Sequence, residues 1–169
     1  MMLREKKLVL LSADLAGYNR WSGNLEATVV ATFLNEWYQM CARIIRARGG
    51  RVVKFMGDGC LAVFPESASV EAVEAAAEIR AGLGSLRPAS GVKLDLSAKV
   101  HLAIVAEGAF GPDDDARYDV IGSGVNHLFS MGGAPGVRIS EPVFRKLPNN
   151  VRSRWQKHHP PATYELERA

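Results

Sequence analysis

Cysteine is scarce in this chain: Cys41 and Cys60 are the only two in 169 residues. Two thiols without metal-ligand spacing exclude a zinc ribbon and a disulfide-stapled secreted scaffold, so both read as core residues of a protein kept in a reducing, cytoplasmic setting. Long apolar runs are missing as well. The basic N-terminus leads into Leu8-Val9-Leu10-Leu11, but that run is short and is broken by Asp14, which fits neither a signal segment nor a membrane span. Dense Lys/Arg tracts are absent although the net charge is +3, so the balance suits a small anionic ligand and not a nucleic-acid footprint. No run of exposed aromatics marks the strands, which argues against an RNA-binding sheet. The acidic triplet Asp113-Asp114-Asp115 lacks the Asp-x-Asp-x-Asp-Gly spacing of a calcium loop and reads as a solvated turn. There is no internal repeat, and no linker, sensor segment or second domain is visible.

What is present is an ordinary globular composition, 47% apolar and 23% charged, expected to form a single domain over 1–169. The run 8–13 reads as a strand buried on both faces that ends at Asp14. Gly17 follows, where the backbone can turn sharply into a helix. From Leu25, apolar residues at Val29, Val30, Phe33, Leu34, Trp37, Cys41, Ile44 and Ile45 recur every three or four positions and draw the stripe of a long helix, stopped at Gly49-Gly50. Residues 51–64, RVVKFMGDGCLAVF, are two β-type runs around Met56-Gly57-Asp58-Gly59, a tight hairpin with a carboxylate at its turn.

A second helix is expected from a Ser67 cap to about Gly84, with Val70, Val73, Ala77 and Ala81 inward. A long strand should occupy 94–110, with His101 inside it as a sheet residue. Residues 117–122 read as a strand, and 123–131 as a helix capped by Ser123 with Val125, Leu128 and Phe129 facing in. Short elements close the chain: a strand at 137–140, a helix near 142–147, and strand-like pieces at 151–155 and 163–166. Between the last two, Lys157-His158-His159-Pro160-Pro161 is expected to be an exposed loop, with only a remote case for a metal at the histidines. The order implies an α+β fold with a ferredoxin-like β-α-β-β-α-β core and a mixed sheet covered by helices on one side.

In that arrangement Asp14 at the end of the first strand and Asp58 at the turn of the adjacent hairpin are expected side by side. Two adjacent carboxylates raise one another's pKa unless a cation sits between them. A hard divalent ion completed by substrate phosphates fits such a pair, and the chemistry suggested is metal-assisted reaction of a nucleoside triphosphate.

Three stretches carry a resemblance. Ser12-Ala13-Asp14-Leu15-Ala16-Gly17-Tyr18, Gly49-Gly50 through Lys54-Phe55-Met56-Gly57-Asp58-Gly59, and Tyr118-Asp119-Val120-Ile121-Gly122 through Val125-Asn126 resemble, in order and spacing, the signature blocks of class III nucleotidyl cyclase catalytic domains, a resemblance that implies a catalytic core at about 7–147 with terminal strands to about 167. The resemblance implies two divalent cations, Mg²⁺ or Mn²⁺, held by Asp14, Asp58 and the Leu15 carbonyl, with the amides of Gly17, Tyr18 and Asn19 around the β- and γ-phosphates. It implies a head-to-tail homodimer in which the partner copy supplies Lys54 and Asp119 to read adenine and Asn126 to orient the ribose. The implied reaction converts ATP to cyclic AMP and pyrophosphate, with no nucleic-acid or membrane partner. Control is expected from a separate regulatory protein, a small ligand such as bicarbonate, or dimerisation itself.

Departures from the family pattern accompany the matches. Where the family carries an arginine one helical turn after the asparagine, this chain has Ser130, which offers no charge to the α-phosphate. Loss of such a donor costs on the order of 10²-fold in rate. Arg117 and Arg20 are the candidate replacements. The alternative is a degenerate cyclase-like module that binds nucleotide or a partner without turnover.

Overall fold

The computed structural model describes residues 3–158 and 163–166. Its first strand, β1 (Arg4–Ala16), is followed by the one-and-a-half-turn helix α1 (Tyr18–Ser22) and the long helix α2 (Ala27–Ala47). The hairpin β2 (Arg51–Met56) and β3 (Gly59–Pro65) leads into α3 (Ser69–Leu83), and then comes β4 (Asp95–Phe110). Beyond it lie β5 (Arg117–Ile121), α4 (Ser123–Ser130), β6 (Gly136–Ile139), α5 (Glu141–Lys146), α6 (Asn149–Arg152), β7 (Trp155–His158) and β8 (Thr163–Leu166). The strands form one sheet in the order β2-β3-β1-β4-β6-β8-β7, with β5 on the end of β4. The stretch β2-β3-β1-β4 is antiparallel throughout, and α2 and α3 supply its two crossovers. That is the ferredoxin-like core expected from the sequence.

Side-chain alternation divides this sheet into two unlike faces. Val9, Leu11, Ala13 and Leu15 of β1, with Leu96, Ala98, Val100 and Leu102 of β4, pack against Phe33, Trp37 and Ile45 of α2 and Ile79 of α3. Leu8 and Leu10 point the other way and meet Leu61, Val63, Val105 and Val120 beneath Leu128 of α4. A helix therefore lies on each face, which corrects the expectation of helices on one side only. The second apolar cluster is small because that face turns polar toward the end of β1, at Ser12 and Asp14.

Other local expectations give way for physical reasons. β1 does not stop at Asp14; it runs to Ala16 because β4 offers partners as far as Ser97, Leu96 and Asp95. Val29 is exposed at the start of α2. Ser67 caps nothing, since it lies in a tight turn before α3, and the inward side of that helix is Ala72, Val73, Ala76 and Ile79, with Ala81 exposed. α4 starts after Gly122 and not at a Ser123 cap, and Phe129 is exposed because Leu128 fills the inward position. Residues 149–152 are helical, so the strand expected at 151–155 begins only at Trp155, and Lys157 and His158 belong to β7 and not to a loop. His159, Pro160 and Pro161, named in that loop, lie outside the described residues.

Candidate active site

The hairpin turn holds Asp58 through its neighbours. Trp37 of α2 donates its indole N–H to the Asp58 carbonyl at 3.0 Å, and the Tyr38 hydroxyl donates to the Gly57 carbonyl. Tyr38 also stacks on Phe55 of β2, with ring centroids 4.1 Å apart. The long helix thus fixes the turn from below. Asp58 reaches back over β1, where its Oδ2 accepts the Leu15 N–H at 3.1 Å. Asp14 sits beside it, and a Cβ built on Gly59 would lie 2.6 Å from Asp14 Oδ1. A side chain at position 59 would push the Asp14 carboxylate aside.

The electrostatics of the pair are unbalanced. Burial raises the Asp14 pKa above the ordinary carboxylate value, Lys99 opposes the rise, and the nearby Asp58 adds to it. Lys99 was not anticipated from the sequence. It is 6% exposed, stands opposite Ser12 in the β1–β4 register, and its ammonium makes no hydrogen bond or ion pair among the described residues. The buried Ser12 hydroxyl also lacks a partner among them. Buried polar atoms rarely stay unsatisfied, so this patch of Ser12, Asp14 and Lys99 has binding capacity that the chain does not use itself. Two carboxylates, the Leu15 carbonyl and adjacent unspent donors fit a hard cation whose remaining ligands are phosphate oxygens. Among the described residues no group of three or more Cys, His, Asp or Glu side chains is positioned to hold a metal.

Beside the carboxylates the chain turns at Gly17, whose φ of 92° lies in the left-handed region, and enters α1. Tyr18 is half-buried, while Asn19 and Arg20 are exposed next to that turn. Trp21 anchors α1 by donating to the Ala89 carbonyl at 2.9 Å.

A second group of predicted residues also comes together. Lys54 Nζ lies 2.6 Å from Asp119 Oδ2, and Asp119 Oδ1 accepts the Val120 N–H at 2.8 Å. A β-bulge between Val52 and Lys54 interrupts the β2–β3 register next to this lysine. Asn126 is exposed on α4. Among the described residues no hydrogen bond or ion pair joins Asp14 or Asp58 to Lys54, Asp119 or Asn126. One chain therefore carries two half-sets.

The replacements considered for the absent arginine fare differently. Arg117, at the exposed start of β5, is tied to Asp115 by hydrogen bonds of 3.0 Å. Ser130 donates its hydroxyl to the His127 carbonyl at 2.9 Å, on its own helix. Arg138, also unforeseen, is buried beside α4 and reaches Glu165 at 2.6 Å and the Met131 carbonyl at 3.3 Å. On the same sheet face His101 hydrogen-bonds Ser140 at 2.9 Å and lies 4.6 Å, ring to ring, from His127. Burial, with His127 adding to it, lowers the His101 pKa to about 4.

The resemblance read in the sequence is borne out by relatives and by fold. The chain is 23% identical over 155 residues to an adenylate cyclase of Anabaena cylindrica, an alignment covering 84% of this chain and 31% of that protein. It spans 10% of the length of a second curated relative, so it matches a minor part of longer proteins. Among solved structures, the adenylyl cyclase CyaB of P. aeruginosa superposes with a TM-score of 0.85 at 22% identity, over 100% of this chain and 97% of that one. The catalytic core of a rhodopsin-guanylyl cyclase with converted specificity, in complex with ATPαS, gives a TM-score of 0.85 at 16% identity over 100% of both chains. No protein-family model matches the sequence. The chain has the fold of adenylyl and guanylyl cyclase catalytic domains. No helix among the described residues is long and apolar enough to cross a membrane.

Proposed function

We propose that this chain is an adenylate cyclase that works as a head-to-tail homodimer, each active site drawing on both copies. The observation that carries the reading is the division of the residues into two half-sets, Asp14 with Asp58 and Lys54 with Asp119, each assembled but unconnected within one chain. In this reading one protomer contributes Asp14, Asp58 and the Leu15 carbonyl, and its partner contributes Lys54, Asp119 and Asn126.

Bound at the carboxylates, two Mg²⁺ or Mn²⁺ ions would lower the pKa of the ribose 3′-hydroxyl and neutralise the triphosphate. The chain's own residues do the positioning. Lys54 donates to adenine N1 and Asp119 accepts from the exocyclic N6 amine, a polarity that matches adenine, whereas guanine presents the reverse. Their mutual ion pair holds both groups in place for that edge. Asn126 orients the ribose so that its 3′-oxygen lines up with the α-phosphorus; the new P–O bond forms there as the bond to pyrophosphate breaks. The Gly17–Asn19 turn offers main-chain N–H groups to the β- and γ-phosphates, and Lys99 adds a cation beside Asp14 that balances charge without a long reach.

Ser130 favours a second reading, a domain that binds ATP without turning it over, because its hydroxyl is spent on its own helix. The test is cyclic AMP production from ATP and cyclic GMP from GTP, with Mn²⁺ and with Mg²⁺, for wild type and Asp58→Ala. The cyclase reading expects cyclic AMP in excess of cyclic GMP and its loss in the variant. ATP binding with no product supports the second reading.

A further inference from the structure

A cavity of about 530 Å³ opens where α3 ends and residues 84–94 return to β4, a size in the range of small-molecule sites. None of Asp14, Asp58, Lys54, Asp119 or Asn126 lines it. Phe33, Leu83 and Leu94 are buried apolar residues of its wall, with Leu86 and Val92 beside them. Its charged lining is Arg80, Arg87 and Lys93 against one carboxylate, Asp95. Arg80 pairs with Asp95 at 3.2 and 3.3 Å. Arg87 gives one nitrogen to the carbonyls of Gly84 and Leu86, which leaves its charge uncompensated. Lys93 is exposed and makes no ion pair among the described residues. Three cations and one anion leave an excess of two positive charges over an apolar wall.

We propose that this cavity is a binding site for a small amphipathic anion, an acyl or aryl carboxylate whose apolar body packs on Phe33, Leu83 and Leu94 while its charged end meets Lys93 and Arg87. A neutral or cationic ligand of the same shape gains the apolar contacts but not the charge pairing.

The site is joined to the turn that enters α1. Leu94 Cδ2 is 3.7 Å from where a Cβ of Gly17 would stand, and Ala16 pairs with Asp95 in the sheet. Trp21 packs on Phe33 with ring centroids 4.8 Å apart and is hydrogen-bonded to Ala89, in the segment that frames the cavity. An occupant that presses on Leu94 and Phe33 therefore acts on both supports of the Gly17 turn, and nucleotide affinity shifts with occupancy. The coupling, though not the site, rests on the reading of that turn as a phosphate cradle.

The test uses the whole chain and 8-anilinonaphthalene-1-sulfonate, a fluorescent amphipathic anion, with octanoate and octylammonium as competitors. Expected are saturable binding at one site, displacement by octanoate at a concentration about tenfold below that needed for octylammonium, and weakening by about fivefold or more in Ala81→Trp, which fills the cavity mouth, and in Lys93→Glu. Both variants change exposed residues, and an unaltered thermal transition certifies their fold. Equal competition by octylammonium, or wild-type affinity in both variants, overturns the site. Saturating octanoate is further expected to change the affinity for a fluorescent N-methylanthraniloyl-ATP in wild type but not in Ala81→Trp; no change in wild type overturns the coupling. Failure of the protein to bind that nucleotide at all defeats the cyclase reading, and the sulfonate titration then still decides the site.

Discussion

The two faces of one sheet have been given opposite tasks by the same strands. Along β4, Leu96, Ala98, Val100 and Leu102 enter the large core under α2 and α3, while the intervening Ser97, Lys99 and His101 face the side where Asp14 and Ser12 lie. The first face buries apolar surface and stabilises the fold at about 25 cal/mol per Å² removed from water. The second leaves the buried Ser12 hydroxyl without a partner among the described residues, which costs stability, and sets the Lys99 side chain near Asp14, whose carboxylate it favours. Stability is concentrated on one side so that the other can remain incomplete.

The widest separation between the faces should come from truncation. Leu96→Ala removes a fully buried side chain from the core face and is expected to cost about 2–5 kcal/mol in urea unfolding. Ser12→Ala, on the other face, should be neutral or slightly stabilising, since it deletes an unpaired buried hydroxyl. Comparable losses in both would remove the distinction.

A smaller effect concerns Asp14, whose pKa is raised in the fold chiefly by burial. A raised carboxylate pKa means that the folded state favours the proton, so stability present at low pH is lost as pH rises through the folded value. At neutral pH without metal, Asp14→Asn should therefore melt a few degrees above wild type, the gain disappearing on acidification. Mn²⁺ should raise the melting temperature of wild type and leave the variant nearly unmoved. An equal Mn²⁺ response in both would separate Asp14 from cation binding.

The effect with the narrowest pH window belongs to His101. Its pKa falls from an ordinary 6.5 to about 4 on folding, so the unfolded chain binds the extra proton first. The stability associated with its neutral form is complete above pH 6.5 and is lost as pH falls toward 4. His101→Gln should flatten the stability profile across that window relative to wild type. An unchanged slope would show that burial, with His127 beside the ring, does not hold it neutral.

Much of this was legible in the chain itself. The helical stripe of α2, the glycine-bounded hairpin and the two aspartates are local patterns, and the ferredoxin-like order follows from them. What escaped depends on pairing at a distance. β1 passes Asp14 because β4 is long enough to partner it, and Phe129 is exposed because Leu128 already fills the contact beneath α4. Lys99 is a different case, since the alternation Leu96-Ser97-Ala98-Lys99-Val100-His101-Leu102 displays a polar face that could have been read directly.

The most direct measurement mixes two variants, Asp58→Ala and Asn126→Ala, each defective in a different half-set. If each site is built from both copies, a mixed dimer carries one intact site, and an equal mixture should regain about a quarter of wild-type cyclic AMP production while either variant alone has almost none. A mixture that stays as inactive as its components, with both proteins folded, dimeric and exchanging subunits and the wild type active, would contradict the shared site.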